Sequence, residues 1–231
     1  MTRKAAHYLI AALLAVLAVS AGRVIAHATP APGEFYETTY TLEGADYKVQ
    51  VPNVGIDGVD GAYYWARQDF NAAMNGYAEA FIGYAGDGYT VNTSVNYLYL
   101  GHHVLSGKIG VSVFQQQAAH PWEEFATHNT NTLTGEAITL STLFSDLDGA
   151  LQLLSSHANE ELTWMFGADG YSRDAVSADA VNFDKWAVSD DGIRLYLGEV
   201  ASHAAGNVVL TLAWKNFGSV LNPEMKDVVG A

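Results

Sequence analysis

The residues of this chain best equipped for chemistry sit close together in AAHPWEEFATH, residues 118–128. His120 and His128 could move a proton or hold a metal, Glu123 could act as an acid or base, and Trp122 could anchor a partner. Pro121 places a bend between two extended segments, because proline lacks the N–H a sheet ladder needs. Two readings follow. In one, His120, Pro121, Trp122, Glu123 and His128 form an exposed binding surface. In the other, His120-Pro121 only shapes the bend and Trp122 belongs to the core. A metal site is not expected. His120 and His128 share a face only along an unbroken strand, and Pro121 breaks it. His102-His103 point to opposite sides of a strand, and zinc usually needs three or four clustered protein ligands.

Asp190 and Asp191 raise a similar question, and hairpin chemistry answers it. Asp191-Gly192 suits the two-residue turn that requires positive φ at both positions. Centring the turn there predicts Val188 opposite Leu195, Trp186 opposite Leu197 and Ser189 opposite Arg194. The apolar residues of both arms then share one face, as a half-buried hairpin requires. Adjacent acids at such a tip are solvated and make no catalytic pair. Glu123-Glu124 and Glu160-Glu161 each diverge from their neighbour, so neither is a glycosidase pair. The chain has no Cys. It has no Gly-x-Ser-x-Gly elbow and no phosphate-binding glycine loop, and no cofactor is implied. A Ser/His/acid set assembled from distant segments stays open, since its residue order is not fixed across folds.

These residues need elements to carry them. Residues 35–54 read as two strands about a glycine turn, with Tyr47, Val49 and Val51 alternating against Lys48 and Gln50. Residues 62–85 read as a helix whose Phe70, Met74, Tyr77 and Phe81 share a face. Residues 89–101 read as one alternating strand, with Val91, Thr93, Val95, Tyr97 and Tyr99 on one side. Residues 106–117 are its antiparallel partner, and 122–133 a third strand. A second helix spans about 148–166, with Leu147, Leu151, Leu154, Ala158, Leu162 and Met165 on one face. The hairpin at 182–198, a last strand at 206–214 and a short closing helix over 215–221 complete the chain. Strands and helices mix without a βαβ rhythm. The predicted class is α+β, with mostly antiparallel sheet packed against two main helices.

Composition limits the partners. Arg3 and Lys4 precede an apolar run at 8–21, and Ala26-His27-Ala28 suits signal-peptidase cleavage. Residues 1–28 therefore read as a signal peptide and 29–34 as a flexible lead-in. The rival reading is an uncleaved N-terminal anchor. Cleavage removes three cations, Arg3, Lys4 and Arg23, and no acid, which takes the full-chain charge of −14 to −17. Such a charge argues against nucleic acid, and no stable membrane insertion is expected once the signal is gone. It favours a basic partner or simple solubility. A secreted or cell-envelope location follows from the signal.

Three segments carry a resemblance: AAHPWEEFATHNTNTLTGEAITLSTLF at 118–144, the helix after it, and NFDKWAVSDDGIRLYLGEVASHAAGNVVLTLAW at 182–214. In this order they resemble the extracellular domain of RsiV-type anti-sigma factors and a secreted immunogenic antigen of mycobacteria. The resemblance covers about 105–221, and 35–105 resembles the strand–helix–strand module that often precedes that domain. It implies an N-terminal module at 35–105 and an RsiV-like domain at 106–231 sharing one core. In the anti-sigma relatives the domain binds lysozyme. This chain opens on its signal, so it is expected to lack the sigma-binding region and to resemble the antigen more closely in layout. The resemblance brings no catalytic set, and it makes His120 and Pro121 the matching positions to test.

Three functions are therefore weighed. The first is a secreted or envelope-associated, non-catalytic binding protein whose partner is a basic, lysozyme-like protein or a cell-wall component. The second is an envelope hydrolase acting on peptidoglycan or polysaccharide, which needs a pocket joining His120 to an acid and a nucleophile. The third is a secreted antigen with a host-directed role.

Overall fold

The alternation at 47–51 decides which side chains meet the core. In the computed structural model, which describes residues 33–231, Val49 and Val51 are fully buried while Lys48 and Gln50 are exposed. The segment read as a signal, and residues 29–32 of the lead-in, lie outside the described residues. The first strands are β1 (Tyr36–Glu37), β2 (Tyr40–Glu43), β3 (Tyr47–Val51) and β4 (Val54–Gly55), followed by helix α1 (Ala62–Ile82). Next come β5 (Tyr89–Thr93), β6 (Tyr97–Leu100), β7 (Val104–Gln115), β8 (Trp122–Asn131) and β9 (Glu136–Ala137). Two helices follow, the short α2 (Leu140–Leu143) and the long α3 (Leu147–Phe166). Strands β10 (Trp186–Ser189), β11 (Gly192–Gly198) and β12 (Val208–Ala213) and helix α4 (Pro223–Val229) end the chain. The fold is α+β.

Seven strands form one sheet in the order β2-β3-β5-β7-β8-β9, with β6 also paired to β7. Only β3 and β5 run parallel in it, across the α1 connection. Helix α1 buries Ala66, Phe70, Met74, Ala78 and Phe81 against one face, where they meet Leu105, Ile109, Val111 and Val113. Tyr77 is only half-buried, because its ring lies at the margin of that stripe. The three-stranded sheet β10-β11-β12 packs over the opposite face, and α3 covers its outer side through Leu151, Leu154, Ala158 and Leu162. Asp146 caps α3 by accepting the Gly149 N–H at 2.9 Å. Met165, read as core, is 44% exposed, and so is more of Trp164, at 84%, since both lie beyond the last covered turn. The closing helix read at 215–221 is a 3₁₀ turn at Trp214–Phe217, followed by α4, which the hydrophobic pattern did not announce.

The single strand read at 89–101 is broken. β5 pairs Tyr89 with Gln115 and Thr93 with Val111, whereas β6 pairs Tyr97 with Lys108 and Leu100 with Leu105. One extra residue is therefore accommodated within Ser94–Asn96, a bulge that reverses which face each side chain takes. Val91 enters the α1 core, whereas Tyr97 and Tyr99 reach the other way and donate to the Val188 carbonyl at 2.9 Å and the Asp190 carboxylate at 2.7 Å. The Asn96 side chain holds the bulge, donating to the Gln50 carbonyl and accepting the Gly110 N–H.

The hairpin is present with its turn one residue earlier than read. Trp186 faces Leu195, Val188 faces Ile193 and Ser189 faces Gly192, so Asp190 and Asp191 are the two turn residues. Moving the centre by one position moves each partner by two, which preserves the faces. Neither aspartate has positive φ, so the left-handed turn is not formed. Gly192 is set instead by its neighbour strand: a Cβ there would lie 2.0 Å from the Leu212 carbonyl oxygen.

Candidate functional site

Alternation along β8 distributes the sequence candidates. Cross-strand partners share a face, so Trp122, opposite Val113, and His128, opposite Gly107, turn toward α1. Glu123, opposite Ser112, turns toward the three-stranded sheet. Trp122 packs edge-on against Tyr84 and Tyr89, with ring centres 6.5 and 5.9 Å away, and stays 37% exposed. His128 meets the Asp69 carboxylate of α1 at 2.7 Å. His120 lies before the strand, 4.3 Å from the His203 ring, with Nδ1 3.2 Å from the Pro121 carbonyl. His203 in turn contacts Glu199 at 3.0 Å. The five candidates thus occupy four places rather than one: His120 with Pro121, Trp122, Glu123 and His128.

Asp69 was not legible as a partner of His128, because 59 residues separate them. Burial pushes its carboxyl up, but hydrogen bonds from His128 and Thr130 outweigh burial and leave it below the ordinary carboxylate range. A depressed carboxyl stabilises the fold above its unfolded pKa of about 3.9, and that contribution disappears as pH falls through the lower folded value. Asp69→Asn is expected to cost about 1 kcal/mol near pH 7, as loss of a charged hydrogen-bond acceptor does. Urea unfolding from pH 7 to pH 2.5 checks it: the gap between variant and parent should narrow below about pH 4.

The face of β7 and β8 away from α1 is polar inside. Ser106 Oγ donates to Asn129 Oδ1 at 2.5 Å and accepts the Val188 N–H at 2.8 Å, while Asn129 Nδ2 donates to the Trp186 carbonyl at 3.1 Å. Lys108, 6% exposed, donates to the Val95 carbonyl at 2.6 Å and lies over the rings of Phe125 and Tyr196. Burial pulls its amine down, against the opposing pull of Glu123. Burial likewise pushes the Tyr196 hydroxyl up to about 12. This layer is why the second face of the hairpin, Ala187 and Tyr196, is buried too.

β8 has one open edge. β9 pairs only with Thr130 and Asn131. The Asn129 and Asn131 carbonyls accept from Ile138 and Gly135 on that outer side, at 2.7 and 2.8 Å. Antiparallel alternation therefore turns the N–H and C=O of Glu123, Phe125 and Thr127 outward as well. The outward carbonyl of Thr127 receives the Tyr77 hydroxyl at 3.4 Å, a long contact. Two cavities lie along this edge. The larger, about 470 Å³, is lined by Thr127, Ile138, Leu140, Leu147 and Trp186 among others. The smaller, about 340 Å³, is lined by Trp122, Glu123, Phe125, Lys185 and Glu199 among others. Asp184 borders both, so they form one interrupted groove from residue 122 to residue 129. Glu123 also accepts a hydrogen bond from Asn207. Among the described residues no three His, Asp or Glu side chains are grouped to hold a metal, and no helix is long and apolar enough to cross a membrane.

No family model matches this chain, and no curated protein matches it. Solved structures do. A member of the DUF3298 family from Bacteroides fragilis NCTC 9343 superposes with TM-score 0.57 at 12% identity, over 85% of this chain and 96% of that one. A DUF3298 family protein from Pseudomonas aeruginosa PAO1 gives TM-score 0.56 at 10% identity, over 85% and 97%. At those identities the likeness is one of architecture: this chain has the fold seen in DUF3298 proteins.

Proposed function

We propose that the protein is a secreted or cell-envelope-associated binding protein without catalysis, and that it takes a basic, lysozyme-like protein or a cell-wall component. The observation that carries this reading is the groove along β8. It offers an unpaired strand edge, an apolar cavity and a half-exposed Trp122, and its rim bears the acids Glu123, Asp184 and Glu199. An acidic rim beside an aromatic anchor suits recognition of a basic surface. The resemblance to RsiV-type domains, with their lysozyme partner, points the same way. The hydrolase reading asks for a pocket that joins His120 to an acid and a nucleophile. His120 instead lies tilted against the His203 ring and lines neither cavity of the groove.

Titration with a basic lysozyme and with soluble peptidoglycan fragments tests the proposal, at low salt and at about 0.15 M, where exposed charges are screened beyond about 8 Å. Saturable binding should survive the higher salt, and Trp122→Ala should weaken it by about tenfold, the effect of losing a docking aromatic. Binding that vanishes with salt would mean that the charge of the chain acts alone.

A further inference from the structure

We propose that the open edge of β8 takes up a basic, extended polypeptide segment as an added strand, alongside Glu123–Thr127. This rests on the binding role above and names how the partner is held.

The edge itself selects the occupant. Glu123 and Phe125 each present an outward N–H and C=O, and Thr127 presents its N–H, without a partner among the described hydrogen bonds. Exposed donors and acceptors alternating along a strand are matched group for group only by another extended backbone. A saccharide or a folded helix cannot reproduce that spacing. β9 already does so at Thr130 and Asn131, and Ile138 continues the pairing to Asn129 before the chain turns into α2. The added segment would extend the line that β9 begins. Five residues beside 123–127 cover about 17 Å at the rise of a strand.

Side chains of the added strand alternate, and those on the three-stranded-sheet side enter the groove. One meets the apolar wall of Ile138, Leu140 and Trp186. Another, two residues along, meets the rim where Glu123, Asp184 and Glu199 outnumber Lys185. Lys185 is held back, its amine over the Phe125 ring at 4.8 Å. The expected segment therefore carries an apolar residue and, two positions along on the same face, a lysine or arginine. Natural edges are commonly blocked by a lysine, a proline or a bulge. Here Pro121 precedes the strand, no proline lies within it, and no bulge interrupts the β7–β8 register. The edge is left fit for pairing.

Fluorescence anisotropy of the protein with a labelled Lys/Val heptapeptide, Thr-Lys-Thr-Val-Thr-Lys-Thr, whose Lys and Val share one face of a strand, at about 0.15 M salt, tests this. The same peptide N-methylated at every amide keeps the charge and loses every backbone donor. A Glu/Val counterpart reverses the charge. The Lys/Val peptide should bind saturably, N-methylation should weaken it at least about tenfold, and the Glu/Val peptide should not bind. Asp184→Lys, an exposed position outside the core, should weaken the Lys/Val peptide by a similar factor. Amide exchange at Phe125 and Thr127 should slow in the complex. Equal binding of the methylated peptide, unchanged exchange at these amides, or no binding of the Lys/Val peptide overturns strand addition. Lysozyme titrated into the same samples separates the two readings. A protein that holds lysozyme in salt but ignores the peptide keeps its binding role and loses this mode. One that binds the peptide and no lysozyme or peptidoglycan fragment keeps this mode and loses those partners.

Discussion

Phe70→Ala should lower the unfolding free energy by about 3–5 kcal/mol, the cost of emptying a fully buried aromatic site. Phe70 has no exposed surface and stands where α1 meets β7. The backbone of Gly107 approaches its ring so closely that a Cβ there would lie 2.7 Å from Phe70 Cζ. The ring therefore fills a space left by a missing side chain, with the Met74 methyl beside it. The same ring lies 6.4 Å from His128. Its loss should also loosen the His128–Asp69 contact. Urea denaturation should show a lower midpoint at an unchanged slope, the mark of lost stability without a changed unfolded state.

Asn129→Ala should cost about 3 kcal/mol by a different route. Its side chain joins the large sheet to the small one, accepting from Ser106 and donating to the Trp186 carbonyl. Removing it leaves two buried polar groups short of a partner, each at about 1–3 kcal/mol. Asn129 also lines the larger cavity of the groove. The variant should therefore weaken peptide binding more than an equally destabilising change such as Phe70→Ala. Measuring stability and peptide affinity on both proteins separates the effects. Equal loss of affinity in the two would mean that Asn129 acts on the groove only through general stability.

The α1 stripe, the β5–β7 pairing and the hairpin faces were legible because each rests on a local period that burial enforces. Phe70, Met74 and Phe81 fall at helical spacing, and Val49 and Val51 at strand spacing, and all five are core. The bulge at Ser94–Asn96 was not legible, because alternation from Val91 to Tyr99 continues through it unbroken. What fixes the bulge is long-range: Lys108 bonding Val95, and Asn96 bridging Gln50 and Gly110. Gly192 was legible as a turn signal yet answers to Leu212 on another strand. The candidate site was legible in part. The segment 118–128 does supply one wall of the groove, through Trp122, Glu123, Phe125 and Thr127. Its other walls, Asp184 and Ile138–Leu140, come from segments with no chemical signature, and an unpaired edge leaves no trace in composition. His120 and His128 drew notice by residue type, and their partners His203 and Asp69 are set by tertiary packing.

The polar layer between the sheets also governs when the protein can finish folding. Ser106, Lys108 and Asn129 wait on a face whose cover, residues 186–213, is the last sheet to leave the ribosome. Contacts such as Tyr97 to Val188 span 91 residues, and pairings that distant form late. Until then the large sheet and α1 stand with one face bare. A greasy face left bare for so long would invite association with other nascent chains. The serine, lysine and asparagine of this face, set among Tyr97, Tyr99 and Phe125, hold water there through the delay and shed it when the hairpin arrives.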